Sequence, residues 1–119
     1  FRSPFTVILR ELVGSVQGSL GAIFIDGLGE SVDYYSTIDP YDLKVMGACG
    51  ALLVQMMEQT KLDPMALLGL SGTNLSLWIQ PLGEHYTLLL VLERRTWAPD
   101  LETAMDAASR LIKKEAGIR

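Results

Sequence analysis

The sequence predicts an α+β fold built on a largely antiparallel sheet, with elements in the order α-β-β-α-β-β-β-α. Three observations carry this. Residues 20–25 (LGAIFI) and 86–92 (YTLLLVL) are apolar on both alternating faces, as strands covered on two sides are. Most successive strands are separated by short turns rich in Gly, Asp or Asn, which favour hairpins over parallel crossovers. Amphipathic helical segments stand before, between and after the strands, so both faces of the sheet can be covered.

Ser3-Pro4 opens the first helix, with Ser at the N-cap and Pro where a missing N–H leaves no bond unmade. Phe5, Ile8, Leu9, Leu12, Val13 and Val16 recur at helical spacing behind it. After the LGAIFI strand, Asp26-Gly27-Leu28-Gly29 forms a turn, and a polar strand over 31–38 returns as an edge. Asp39-Pro40 repeats the cap signal, and Asp42 suits the positive end of the helix dipole. This middle helix is expected to run to about Thr60, stopped by Lys61 and Pro64. A short apolar strand over 65–70 (MALLGL) follows at the far edge, then a turn at Gly72-Thr73-Asn74. A one-faced strand over 75–80, a turn over 81–85 and the YTLLLVL strand complete the sheet. Pro99-Asp100 starts the last helix, with Leu101, Ala104, Met105, Ala108, Leu111 and Ile112 as its stripe and Gly117 as its stop.

The chain has 119 residues, enough for one domain with one proper core. Ten Lys and Arg face fourteen Asp and Glu, giving a net charge of −4. That balance argues against nucleic-acid binding, which draws on Lys and Arg. The chain opens on Phe1, so a start residue is expected upstream. Its single cysteine, Cys49, excludes an internal disulfide framework and a Cys-rich zinc site, and a reducing cytoplasm is the expected location. No segment approaches the ~20 apolar residues of a membrane span.

Motifs for chemistry are missing. Gly27-x-Gly29 has Val32 where a dinucleotide fingerprint needs glycine, and there is no P-loop sequence. His85 stands alone in a turn and is expected to be solvent-exposed. Cys49 is expected to be a small buried hydrophobe. Asp26, Glu30, Asp33, Asp39 and Asp42 each have a local reading as turn former, solvated edge or helix cap, although together they make one end acidic. Arg94 and Arg95 read as a solvated loop, and Met46, Met56, Met57, Met65 and Met105 as gap-fillers. No catalytic residue, cofactor or metal is expected.

The 49% apolar content exceeds what this order needs in two places, the middle helix and MALLGL. A two-fold dimer would cover both, joining edge strands and bringing two middle helices together at Gly47 and Gly50. The expected interface is Leu43, Met46, Gly47, Gly50, Val54, Met57, Leu67, Leu68 and Leu70. The helical row Lys44, Ala48, Ala51 and Gln55 is the candidate surface for a further partner.

The pattern resembles the roadblock/dynein-light-chain family over nearly the whole chain. The resemblance lies in Val16-Gln17-Gly18 and the run Leu20-Gly21-Ala22-Ile23-Phe24-Ile25-Asp26-Gly27-Leu28-Gly29. It also lies in the Ala/Leu-rich middle helix, the hairpin strands after it and the Leu-rich strand over 88–92. The resemblance implies a profilin-like, five-stranded antiparallel sheet with the middle helix on one face and the terminal helices on the other. It further implies a homodimer or heterodimer with another roadblock protein through the middle helix and third strand. The implied activity is that of a non-catalytic platform regulating a Ras-like small GTPase, as in bacterial gliding motility and polarity. The Gly47/Cys49/Gly50 run and the Ser-Val-Asp-Tyr-Tyr strand depart from the family pattern, and leave room for an adaptor that binds roadblock subunits or a motor without touching a GTPase.

Overall fold

The computed structural model describes residues 3–61, 63, 66–94 and 96–119. The elements are α1 (Pro4–Ser15), β1 (Ser19–Ile25), β2 (Ser31–Ser36), α2 (Pro40–Glu58), β3 (Leu68–Ser71), β4 (Leu75–Gly83), β5 (Tyr86–Glu93) and α3 (Leu101–Ala116). The strands form one sheet in the order β2-β1-β5-β4-β3. Every neighbouring pair is antiparallel. The two segments apolar on both faces, β1 and β5, are adjacent at the middle, and β2 and β3 are the edges.

Alternation along the strands sorts the core into two layers. Ala22, Phe24, Leu88, Leu90 and Leu92 face α1 and α3, where they meet Leu9, Leu12, Met105 and Ile112. Ile23, Ile25, Leu89 and Val91 face α2, where they meet Leu43, Ala51 and Val54. Phe24 also packs between the tilted rings of Phe5 and Tyr86, with centroids 5.0 and 5.4 Å away.

The caps follow the sequence signals. Ser3 Oγ accepts from Thr6 N at 3.2 Å and Asp39 Oδ1 from Tyr41 N at 2.9 Å. Gly117, at φ 71°, ends α3 in the left-handed region. Asp100 at the start of α3 makes no side-chain capping bond.

Three boundaries differ from expectation. The second strand stops at Ser36, because its hydroxyl bonds both the N–H and C=O of Ile38 and turns the chain toward α2. The third strand begins at Leu68 rather than residue 65; Met65 and Pro64 lie outside the described residues. The fourth strand continues through Pro81 and Leu82, which the sequence assigns to a turn. Strand β3 pairs only as far as Ile79, so β4 is an edge at Pro81 and its missing N–H breaks no ladder bond. The turn shrinks to Glu84-His85, with φ of 52° and 70°, the double positive φ of a two-residue hairpin.

Candidate interaction surface

Helix α2 is apolar almost all round, and the structure shows which arc serves the fold. Leu43, Gly47, Gly50, Ala51 and Val54 are buried against the chain's own sheet. A Cβ on Gly47 would lie 2.9 Å from Ile25 Cδ1, and one on Gly50 2.8 Å from Leu89 Cδ1. The backbone that must come close is therefore α2 to β1 and β5. This corrects four expected interface residues: Leu43, Gly47, Gly50 and Val54 fill the core instead of facing a second copy.

The expected partner row divides as well. Lys44 and Ala48 are exposed, with Lys44 Nζ 5.0 Å above the Tyr34 ring. Ala51 is buried against the sheet. Gln55 is half-buried, and its Nε2 donates to Gly27 O at 2.9 Å. These two are structural, because the row straddles the boundary between the sheet-facing arc and the outer face.

The other flank of α2 carries Met46, Leu53 and Met57, all half-buried. Beyond it lies the part of the sheet that α2 leaves uncovered. Leu68, Leu75 and Leu77 are half-buried there and Leu70 is 40% exposed. The register pairs Leu68 with Ile79 and Leu70 with Leu77, so all belong to the face that α2 occupies. Leu67 does not join them; it packs against the core beneath α1 and α3.

A line of apolar side chains on the outer face of α2 escaped the sequence reading. Tyr41 is 71%, Val45 45%, Leu52 58% and Met56 55% exposed. Their spacing of four, seven and four places them on one stripe. A helix with apolar residues on every side conceals which stripe faces out until the sheet-facing arc is known. Cys49 is exposed too, contrary to expectation, because the sheet-facing arc is taken by Gly47, Gly50 and Ala51. Met105 is a buried gap-filler as expected, whereas Met56 is at the surface.

The acidic residues keep local roles. Asp26 Oδ1 accepts from Leu28 N and Glu30 N at 2.9 and 3.0 Å, closing the β1–β2 turn. Asp33 binds the hydroxyls of Ser3 and Thr6. Burial would raise its carboxyl, but hydrogen bonds from Ser3, Thr6 and Tyr34 N outweigh this and hold it below the ordinary range. Among the described residues no three His, Cys, Asp or Glu are placed to share a metal ion. His85 is exposed as expected, but it also pairs with Glu58 of α2, Nδ1 to Oε2 at 2.9 Å. Arg94 reaches Thr73 O at 3.4 Å, and Arg95 lies outside the described residues. Among the described residues no helix is long and apolar enough to cross a membrane.

No protein-family model matches the chain, and no curated protein matches it. Solved structures do. A Roadblock/LC7 domain from Streptomyces avermitilis superposes with a TM-score of 0.80 at 16% identity, covering 97% of this chain and 99% of that one. Myxococcus xanthus MglB gives 0.79 at 13% identity over 97% and 96% of the two chains. The gliding protein MglB from Thermus thermophilus gives 0.76 at 18% identity over 100% and 96%. With the same element order and sheet architecture throughout its length, this chain has the Roadblock/LC7 fold.

Proposed function

We propose that this chain is a non-catalytic roadblock platform that dimerises about a two-fold axis and binds and regulates a Ras-like small GTPase, in bacterial motility or polarity. The observation that carries the reading is the apolar surface left over once the core is filled. It forms two separate areas: the β3 edge with the α2 flank, and the outer stripe of α2.

The first area is the dimer surface. Leu70, Leu68, Leu75 and Leu77 lie beside Met46, Leu53 and Met57, and an edge strand with apolar neighbours is best covered by a second copy of itself. Pairing β3 with its two-fold mate would extend the sheet and bring two α2 flanks together. The second area, Tyr41, Val45, Leu52 and Met56 flanked by Lys44 and Ala48, remains outward and is the partner surface. MglB proteins share this fold, and one solved structure is described as MglB with a tetrameric arrangement. A single exposed thiol fits the reducing cytoplasm.

Analytical ultracentrifugation of wild type and Leu70→Asp tests the dimer; wild type should sediment as a dimer and the variant as a folded monomer. Pull-down with small GTPases from the source genome, loaded with GDP or a GTP analogue, tests the partner, alongside measured GTP turnover. Leu52→Glu with Met56→Glu should abolish GTPase binding and leave the dimer intact. A dimer that binds another roadblock protein and no GTPase would instead make the chain an adaptor subunit.

A further inference from the structure

A sheet with two receptive edges can add a strand at either, and a chain that adds at both builds an open array. The edges here are β2 and β3, and they are finished differently.

On β2, Leu20 O accepts from Thr37 N at 2.8 Å. The register continues through Ala22–Tyr35 and Phe24–Asp33. Antiparallel pairs alternate, so Tyr35 and Asp33 bond inward to β1 and Tyr34 turns its N–H outward. That outward N–H is not free: it donates to Asp33 Oδ1 at 2.8 Å. Asp33 Oδ2 accepts from the hydroxyls of Ser3, the N-cap of α1, and Thr6 in its first turn. The carboxylate is thus anchored to the helix by one oxygen and occupies the strand edge with the other. Three residues beyond Asp33, Ser36 turns the chain out of the strand.

On β3, Leu75 O accepts from Gly72 N at 2.8 Å. The register continues through Leu70–Leu77 and Leu68–Ile79, which leaves Gly69 and Ser71 facing outward. Among the described residues, no side chain caps their outward N–H and C=O groups.

The geometry points to Asp33 as an edge stopper that closes β2 to strand addition, so that a second copy pairs only through β3 and edge-to-edge growth of the sheet ends at the dimer. This rests on the β3 pairing proposed above and specifies what limits it.

The experiment compares wild type, Asp33→Asn, Asp33→Ala, Asp33→Val and the Ser3→Ala/Thr6→Ala double variant by sedimentation over a concentration series, with circular dichroism to establish folding. Asn keeps an acceptor oxygen for Tyr34 N–H, and Ser3→Ala/Thr6→Ala keeps the carboxylate. Both should be less stable than wild type yet sediment with its mass. Ala and Val remove the acceptor, and Val retains strand preference should Ala fail to fold. Their mass should rise with concentration to about two-fold that of wild type or more. Adding Val32→Lys, a charge at the same edge, should reverse the rise. Folded Ala or Val variants that sediment as wild type would overturn the assignment. So would an equal rise in all four variants, which would mark destabilisation alone. A monomeric wild type would refute the β3 dimer, whereas a mass gain confined to Ala and Val would still uphold the stopper.

Discussion

The indole of Trp78 occupies the space that a Cβ on Gly69 would need, with ring atoms 2.7 and 2.8 Å from that position. The two residues are register partners on β4 and β3, so a large ring covers the bare backbone of the edge strand. Gly69→Ala should push the ring aside and lower stability by about 1–3 kcal/mol, the usual range for overpacking. Urea denaturation gives the loss directly. Gly69→Ala combined with Trp78→Leu should lose less than the two single changes summed, because the clash is gone.

Asp33 makes stability depend on acid. Its folded-state pKa lies below the usual carboxylate range, so the unfolded chain takes up its proton first as pH falls. The stabilisation is fully present above about pH 4, the unfolded value, and is lost as pH falls through the lower folded value. Asp33→Asn should therefore be less stable than wild type at pH 7, by about 1 kcal/mol for a partly solvated set of charged hydrogen bonds. The difference should shrink below pH 4. Parallel thermal melts from pH 7 to pH 2.5 measure it; a constant gap would refute the linkage.

Thr87, near the start of the central strand β5, is fully buried, and its hydroxyl has no partner among the described residues. An orphaned buried hydroxyl is destabilising, and valine matches its shape without the polar atom. Thr87→Val should raise stability by about 1 kcal/mol, seen as a melting temperature several degrees higher. Thr87→Ser keeps the orphan and loses a methyl, so it should fall below wild type.

Gly50 faces Leu89, whose Cδ1 is the movable end of a flexible side chain. Gly50→Ala should be near neutral, since strain from moving that methyl group offsets a helix-propensity gain of up to ~1 kcal/mol. Gly50→Leu has no room against the sheet and should lower stability by more than about 3 kcal/mol. A chemical melt separates the two. The loss in the larger variant belongs to the monomer, so it says nothing about dimerisation.

The strand pattern was legible because period-two alternation maps directly onto two core layers. The runs LGAIFI and YTLLLVL announced central strands, and the polar SVDYYS announced an edge. Helix α2 was legible as an element but not in its orientation. Gly47 and Gly50 do mark a close approach, but a small residue states only that something comes near. Here that something is Ile25 and Leu89, separated from the helix along the chain by a hairpin in one direction and two strands in the other. The same ambiguity hid the outer stripe of Tyr41, Val45, Leu52 and Met56. Long-range polar contacts such as Gln55 to Gly27 and His85 to Glu58 left no sequence signal, since the partners stand 28 and 27 positions apart and no local motif spans that distance.

The adjacency of β1 and β5 has a consequence for synthesis. Ile25 pairs with Thr87 and Ser19 with Leu92, so the central pair of the sheet joins its first strand in chain order to its fifth. A ribosome adding roughly 5–20 residues per second exposes LGAIFI for several seconds before its permanent neighbour is translated. During that interval β1 can pair only with β2, and neither apolar layer can close. Closing the two apolar layers therefore waits for β5 and carries the loop-closure entropy of a long-range pairing, and β1 is the apolar strand left longest without its neighbour.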